Sequence, residues 1–225
     1  REVLPTLGPV DLVLTDPPYG VELEAKRAKQ RGGGVSVRIG SYGIDDTPAF
    51  VKAVVLPVIQ NLLPPRVRRL VLTPGTRNLW LYPPADDIGC FFSAAGTGMG
   101  KWGFTCMQPI LYYGADPYLE NCLGSRANSH GQTYPNDANE YDHPCVKPIR
   151  MWMWLTGRTS APDDTILDPF MGSGTTLVAA KQLGRRAIGI EIEERYCEIA
   201  ARRLSQEVFS FEPPTPTPQQ MELPE

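Results

Sequence analysis

Two short apolar runs, each followed by an aspartate and a proline, constrain this chain more than any other feature. Residues 10–15 lead into Asp16-Pro17-Pro18-Tyr19, and residues 165–167 lead into Asp168-Pro169-Phe170-Met171-Gly172-Ser173-Gly174-Thr175-Thr176. Each run is typical of a buried strand that ends in a loop presenting carboxylate and backbone groups. Open α/β sheets bind their ligands at such strand ends. The two segments therefore predict an α/β fold with a ligand site at one edge of its sheet.

The remaining patterns predict strands and helices in alternation. Strands are expected at residues 10–15, 67–73, 165–167 and 187–190, and helices at residues 50–63, 149–155, 175–183 and 193–204. Residues 104–113 are expected to form an antiparallel strand at the sheet edge, and residues 114–142 a short, irregular insertion. The expected architecture is a mostly parallel sheet with an antiparallel edge and helices on both faces.

Length and composition favour one domain. A chain of 225 residues with 42% hydrophobic content is expected to form a single domain over residues 1–211, followed by a flexible proline-rich tail at 212–225. No apolar run reaches the roughly 18 residues of a membrane span, and no signal peptide is visible. Five cysteines without CxxC spacing favour reduced thiols in a cytoplasm. Because the chain begins at Arg1 rather than Met, a further segment is expected upstream.

The charge distribution restricts how nucleic acid could be bound. A formal net charge of -3 argues against coating nucleic acid by bulk electrostatics, so binding would need a local basic patch. Residues 21–47 supply one candidate, a glycine-rich loop that is expected to be mobile and that carries the basic side chains Lys26, Arg27, Lys29, Arg31 and Arg38. On charge alone, a solvated surface loop without a partner is an equally good interpretation.

The glycine-rich segment has the features of a nucleoside site. Gly172 and Gly174 let the backbone approach a ligand closely, and the helix that follows offers unpaired amide donors. Beyond the next predicted strand, Glu191 stands where a carboxylate can accept hydrogen bonds from ribose hydroxyls. A phosphate-binding P-loop would need a lysine at the position of Thr175. The pattern therefore favours a nucleoside cofactor over a triphosphate.

The Asp-Pro-Pro-Tyr segment suggests a separate chemistry. A nucleobase amino group is a poor nucleophile because its lone pair is delocalised into the ring. Asp16 and the carbonyl of Pro17 could accept its hydrogens, with the stiff turn at Pro17 and Pro18 holding both acceptors in place. Tyr19 offers a ring face for stacking on a flipped base. A structural proline-rich turn remains the alternative on these four residues alone.

Four segments together resemble a known family: Asp16 to Tyr19, Asp168 to Thr176, Gly189-Ile190-Glu191, and His143-Pro144-Cys145-Val146-Lys147-Pro148. They are similar to the β-class, circularly permuted DNA amino-methyltransferases that use S-adenosyl-L-methionine. The resemblance covers residues 10–204 and implies a Rossmann-like methyltransferase sheet. In this class the catalytic segment precedes the cofactor loop, as it does here, and this order favours DNA over RNA or protein as the substrate.

The resemblance also implies residue roles. The catalytic segment would be Asp16, Pro17, Pro18 and Tyr19. Asp168 would contact the amino group of the cofactor's methionine portion, Glu191 would hold its ribose, and Lys147 would pair with its carboxylate. The remaining cofactor-binding residues would be Pro169, Phe170, Gly172, Ser173, Gly174, Thr175, Thr176 and His143.

The implied reaction is direct methyl transfer to the amino group of a flipped base, without a covalent enzyme intermediate. Cys145 is therefore interpreted as a bystander. No metal is expected, because the spacing of Cys122, His130, His143 and Cys145 matches no familiar zinc pattern. Asp16 at the first position of the tetrapeptide favours adenine N6. Cytosine N4, the same chemistry on RNA or protein, and a non-catalytic DNA-binding relative remain alternatives.

The expected partner is double-stranded DNA, and a homodimer and a partner restriction endonuclease are further possibilities. The short insertion at 114–142 suggests a short recognition sequence or help from a second subunit. The resemblance implies a bacterial or phage origin and a location in the cytoplasm, at the nucleoid.

Overall fold

The computed structural model describes residues 4–20, 47–94, 98–132 and 147–205. Within these ranges there are nine strands: β1 (Leu12–Thr15), β2 (Arg69–Leu72), β3 (Asp87–Ser93), β4 (Gly98–Gly100), β5 (Gly103–Thr105), β6 (Met107–Gly114), β7 (His130–Gln132), β8 (Thr165–Asp168) and β9 (Arg186–Gly189). Strands β4 and β5 form a separate hairpin. The other seven form one sheet in the order β7-β3-β6-β2-β1-β8-β9.

Six strands of the main sheet run in one direction and β6 runs in the other. Strand β1 pairs in parallel with β2 and β8, β8 pairs in parallel with β9, and β3 pairs in parallel with β7. Strand β6 is antiparallel to both of its neighbours, β2 and β3. The mixed, mostly parallel sheet confirms the predicted fold class. The reversed strand lies near one side of the sheet, with β3 and β7 outside it.

Six helices lie in the described ranges. They are α1, with α-helical turns at Pro48–Phe50 and Leu56–Asn61 around a π-helical segment at Val51–Val55, then α2 (Gly75–Asn78), α3 (Pro117–Glu120), α4 (Ile149–Thr159), α5 (Thr175–Gln182) and α6 (Glu194–Ser205). The π-helical segment widens α1 just before Pro57, which has no amide proton for the regular hydrogen-bond ladder. None of the helices in the described ranges has the length and apolar character to cross a membrane.

Both faces of the sheet are buried. Val13 belongs to one apolar cluster, together with Val55 and Ile59 of α1. Its neighbours Leu12 and Leu14 belong to a second cluster, on the face that α4 and α5 cover through side chains such as Trp152 and Ala179. Because adjacent residues of a strand point to opposite faces, this division confirms the prediction of helices on both faces.

The structure differs from the predicted elements in a few places. The insertion contains the short helix α3 and strand β7, so it is more regular than expected. A strand of three residues is too short to show the alternation that reveals longer strands. Helix α4 continues past residue 155 to Thr159. Residues 21–46, 133–146 and 206–225 lie outside the described ranges, and with them most of the predicted basic loop and the proline-rich tail.

Candidate active site at the ends of strands β1 and β8

The two motifs meet because their strands are neighbours. Strands β1 and β8 pair in parallel with Val13 opposite Leu167, so the loops that follow them leave the sheet at the same edge. The Thr15 hydroxyl donates a hydrogen bond of 2.6 Å to Oδ1 of Asp168, although the two residues are 153 positions apart in sequence. The two motifs are therefore distant in sequence but adjacent in the structure, at one edge of the sheet.

Asp168 is held deep in the protein by neutral donors. Its side chain is buried, with 3% of the residue exposed. Besides Thr15, it accepts hydrogen bonds from the backbone N–H of Phe170 at 3.1 Å and the hydroxyl of Thr176 at 2.5 Å. The Thr176 hydroxyl in turn accepts from the indole N–H of Trp152 at 2.6 Å. Burial raises the pKa of Asp168 to about 6, against the opposing effect of these hydrogen bonds.

Glycines are required in the loop that Asp168 begins. Gly172 and Gly174 have φ angles of 50° and 79°, in the left-handed region that glycine enters without strain. A Cβ atom at Gly174 would also lie 2.7 Å from the Cβ of Ala200 in α6. The loop therefore packs closely on α6 as it turns into the first residues of α5.

Arg203 of α6 supports this loop from within the protein. The residue is 8% exposed, and its Nη1 donates to the backbone oxygen of Ser173 at 2.7 Å. The same nitrogen contacts the hydroxyls of Ser173 at 3.2 Å and Thr175 at 3.1 Å. Arg203 was not predicted from the sequence. Its spacing from the buried Tyr196 and Ala200, at i+7 and i+3, is the helical signal that places it on the inner face of α6.

Glu191 lies against the glycine loop from the end of β9. One carboxylate oxygen accepts from the N–H of Gly172 at 2.9 Å. The other accepts from the N–H groups of Ile192 at 2.8 Å and Glu193 at 2.9 Å. These backbone contacts fix the carboxylate while leaving it half-buried, so it retains acceptor capacity toward a ligand beside the loop.

Asp16 has a different environment at the end of β1. Its Oδ1 accepts hydrogen bonds from the hydroxyl of Tyr19, from the hydroxyl of Thr73 at 2.5 Å, and from Nε2 of Gln108 at 3.4 Å. Its Oδ2 forms an ion pair with Nζ of Lys147 at 2.8 Å, and the two side chains are 21% and 18% exposed. These four partners lie in segments that are far apart in sequence. They meet at Asp16 because β2 and β6 follow β1 in the order of the sheet.

Tyr19 connects the members of that cluster. Its hydroxyl donates to Asp16 and accepts from Gln108 Nε2 at 2.8 Å and from Lys147 Nζ at 3.2 Å. The Lys147 ammonium also lies 5.0 Å from the centre of the Tyr19 ring, and Asn78 donates to the Tyr19 carbonyl at 2.7 Å. Burial, followed by the negative charge of Asp16, raises the pKa of Tyr19 well above its ordinary value, so the phenol stays protonated.

The structure groups the residues singled out from the sequence into two adjoining sets. Asp16, Tyr19 and Lys147 are in contact, and Pro17 and Pro18 join the first two. The second set surrounds the glycine loop and contains Asp168, Pro169, Phe170, Gly172, Ser173, Gly174, Thr175, Thr176 and Glu191. Lys147, which was expected to pair with the cofactor's carboxylate, contacts Asp16 here. His143, Lys26, Arg27, Lys29, Arg31 and Arg38 lie outside the described ranges.

Sequence reasoning missed Thr73, Asn78 and Gln108. None of them belongs to a motif, and their part in the site depends on which strands are neighbours. Gln108 alone carries a local signal, since it is a polar residue at the start of an otherwise apolar strand. Among the residues with described positions, no group of three or more His, Cys, Asp or Glu side chains could hold a metal ion.

Comparison with known proteins identifies the family. The sequence model of the N6/N4 family, described as DNA methylase, matches residues 75–202. The type II methyltransferase M2.LlaDCHI of Lactococcus lactis subsp. cremoris is 47% identical over 235 residues, covering 88% of this chain and 82% of that enzyme. The chain belongs to the N6/N4 DNA methylase family.

Two further comparisons are consistent with this methylase assignment. The type II methyltransferase M2.DpnII of Streptococcus pneumoniae is 49% identical over 65 residues, which cover 29% of this methylase and 24% of that enzyme. The crystal structure of the M1.HpyAVI–SAM complex aligns with a TM-score of 0.60 at 20% identity, covering 91% of this chain and 93% of that one. At this identity the structural match supports the fold alone.

Family membership confirms the resemblance inferred from the four sequence segments. This methylase transfers a methyl group from S-adenosyl-L-methionine to an exocyclic amino group of a base in DNA. The glycine loop fits a nucleoside cofactor of this kind, because it turns through two left-handed glycines into the N-terminus of α5 and Glu191 keeps acceptor capacity beside it. The roles of individual residues remain predictions.

Proposed function

We propose that this methylase modifies the N6 amino group of an adenine flipped out of double-stranded DNA. The proposal rests mainly on Asp16, whose carboxylate accepts hydroxyl, amide and ammonium donors beside the glycine loop. A carboxylate that accommodates several donors in this way can also accept the hydrogens of an amino group. The choice of adenine follows the aspartate at the first position of the tetrapeptide, and cytosine N4 is the second candidate.

Residues around the glycine loop would hold the cofactor. Glu191 would accept hydrogen bonds from the ribose hydroxyls with the capacity that its backbone contacts leave. Asp168 has three acceptor positions satisfied within the protein, so the cofactor's amino group would share the remaining one. When bound, S-adenosyl-L-methionine supplies an electrophilic methyl group.

Asp16 and Pro17 would prepare the base for reaction. The Asp16 carboxylate and the Pro17 carbonyl accept the two amino hydrogens, which localises the nitrogen lone pair and directs it out of the base plane. After transfer, the surplus proton on that nitrogen can leave through the same contact with Asp16. Tyr19, freed from Asp16, would stack its ring on the base.

Lys147 would change partners as the site fills. In the structure its ammonium pairs with Asp16 and lies where a base amino group would donate to that carboxylate. Because both side chains are partly exposed, this ion pair is weakened by solvent and can be exchanged. Movement of Lys147 to the cofactor's carboxylate would free Asp16, so cofactor binding would favour entry of the base.

The basic loop is proposed to contact DNA phosphates through Lys26, Arg27, Lys29, Arg31 and Arg38. Replacing the first four with glutamine should weaken DNA binding and reduce the slope of log affinity against log salt by about one for each lost phosphate contact. Fluorescence anisotropy of a labelled duplex across a salt series measures this slope. An unchanged slope would show that the loop is ordinary protein surface.

Three further properties belong to the same proposal. The type II designation of the relative M2.LlaDCHI favours a partner restriction endonuclease with the same recognition sequence. In a homodimer, the second subunit would add DNA contacts to those of the short insertion. If the substrate is genomic DNA, the protein would be located in the cytoplasm, at the nucleoid. Sedimentation of the purified protein, alone and with DNA, tests the oligomeric state.

The deciding experiment is incubation with methyl-labelled S-adenosyl-L-methionine and mixed-sequence duplex DNA, followed by nucleoside digestion and mass analysis. Methyl on the adenine amino group would support the proposal, and methyl on the cytosine amino group would keep the mechanism and correct the base. Parallel reactions with RNA and protein test the other substrates. Labelling of RNA or protein alone would contradict the proposal.

A further inference from the structure

Gln108 reaches the site because strand β6 is reversed. In the six parallel strands the last residues lie at the ligand edge, whereas in β6 the first residues do. Gln108 is the second residue of β6 and is half-buried. Its Nε2 lies 2.8 Å from the Tyr19 hydroxyl oxygen and 3.4 Å from Oδ1 of Asp16. A neutral amide donor therefore stands beside the carboxylate acceptor.

The Tyr19 hydroxyl shows what this pair of groups can bind. It donates its proton to Asp16 and accepts a hydrogen bond from Gln108. The Tyr19 hydroxyl thus satisfies the Asp16 acceptor and the Gln108 donor at the same time. A ligand that replaces Tyr19 at this position should present a donor to Asp16 and an acceptor to Gln108, because each of these partly buried groups otherwise loses the hydrogen bond that Tyr19 makes with it.

Adenine and cytosine have this arrangement along one edge. In adenine the N6 amino group is a donor beside the N1 acceptor, and in cytosine the N4 amino group is a donor beside the N3 acceptor. Guanine and thymine carry the reverse pattern, a carbonyl oxygen beside a ring N–H. In the site, that pattern would bring the carbonyl against the Asp16 carboxylate and the ring N–H against the amide hydrogens of Gln108.

We propose that Gln108 recognises the flipped base by donating a hydrogen bond from Nε2 to the ring nitrogen next to the target amino group. Asp16 accepts from the amino group itself, so the two side chains together select a base by its donor–acceptor edge. This assignment rests on the proposed function and names a base-contacting residue for it. The contact excludes guanine and thymine and leaves adenine and cytosine to be separated by other features.

The test removes the two partners of this hydrogen bond separately and together. Duplexes carry adenine, 1-deazaadenine or 7-deazaadenine at the methylated position, and single-turnover transfer is measured with the wild type and with Gln108→Met. Methionine keeps the length of the side chain and removes the donor. Because the altered ring also changes the reactivity of the amino group, the measured quantity is the ratio of wild-type to variant rates for each base.

The expected ratio is about 10- to 100-fold for adenine and for 7-deazaadenine, which retains N1, and close to one for 1-deazaadenine, which lacks it. Equal affinity of both proteins for S-adenosyl-L-methionine would show that the variant is folded. A ratio for 1-deazaadenine as large as that for adenine would overturn the inference, since Gln108 would then act only through Tyr19.

The same design distinguishes this inference from the proposed function. If the wild type methylates cytosine, 3-deazacytosine replaces 1-deazaadenine and the expected ratios are the same. A Gln108→Met protein that methylates every base at the wild-type rate would refute the role of Gln108 while the proposed function stands. A wild type that methylates no DNA would overturn both.

Discussion

Asp16 and Asp168 occupy equivalent places at the ends of two neighbouring parallel strands, yet their environments are opposite. Asp168 is 3% exposed and accepts from hydroxyl and backbone donors that the fold holds in place. The Asp16 side chain is 21% exposed, and its partners include the half-buried side chains of Lys147 and Tyr19. The first carboxylate is part of the structure of the glycine loop, and the second has the partly exposed setting that the proposed exchange with a base amino group needs.

The difference follows from the cost of burying charge. A buried carboxylate without a cation must be satisfied by several fixed hydrogen bonds, and even then burial raises its pKa above the ordinary value. The raised pKa of Asp168 reflects this condition. A carboxylate near solvent loses less hydration and can exchange one donor for another. Four substitutions test this contrast.

Asp16→Asn should have the largest effect, because it replaces the charged acceptor proposed for the reacting amino group with a neutral amide that also carries N–H donors. We expect methyl transfer to fall by about 100- to 1,000-fold while affinity for the cofactor changes little. Single-turnover rates and a calorimetric titration measure the two quantities. Asp87→Asn, at an exposed position at the other end of the sheet, is the matched control and should behave as the wild type. Equal loss of binding and transfer would mean that Asp16 supports the fold.

The pH dependence of stability should distinguish Asp168. Burial raises the pKa of Asp168 to about 6, from 3.8, so the folded protein binds this proton more tightly than the unfolded chain. Its contribution is fully present below about pH 4 and is lost as the pH rises through 6. Relative to Asp168→Asn, the wild type should lose about 2 kcal/mol of unfolding free energy between pH 4 and 7. Urea titrations at each pH measure the difference, and a constant difference would contradict the prediction.

Substitution of Arg203 should lower the affinity for the cofactor and leave the rate of methyl transfer unchanged. Arg203→Met removes the donor that holds Ser173 and Thr175, so affinity for the cofactor should fall by about 10-fold. Transfer at saturating cofactor should be close to that of the wild type, and Arg203→Lys should recover part of the affinity. A fall in the transfer rate without a change in affinity would contradict this positioning role.

Thr73→Val should have the smallest effect. The Thr73 residue is fully buried and its hydroxyl donates to Asp16, but the carboxylate keeps other donors when this one is removed. We expect transfer to fall by about five-fold, as for the loss of one hydrogen bond. Thr156→Val is the control, because the Thr156 hydroxyl has no hydrogen-bond partner among the described residues. A larger loss in Thr156→Val than in Thr73→Val would contradict the prediction.

The parts of the site that are local in sequence could be predicted from it. The strands before Asp16 and Asp168 are apolar runs ended by proline, and Glu191 follows the next strand at a fixed interval, so local patterns suffice. The contacts of Asp16 with Thr73 and Gln108 could not be predicted, because they depend on the order of strands in the sheet. Lys147 was predicted from the sequence as a residue of the site, with the cofactor's carboxylate as its partner. The structure shows its ion pair with Asp16.

The hydrogen bond between Thr15 and Asp168 joins two parts of the chain that are synthesised at different times. A ribosome adds about 5 to 20 residues each second, so the 153 positions between these residues take on the order of ten seconds or more to synthesise. Until β8 emerges, β1 can pair with β2 on one side but has an open edge on the other. Open edges invite pairing with foreign strands. The emerging chain therefore carries Asp16 early and gains the glycine loop late, and one edge of β1 stays open in between.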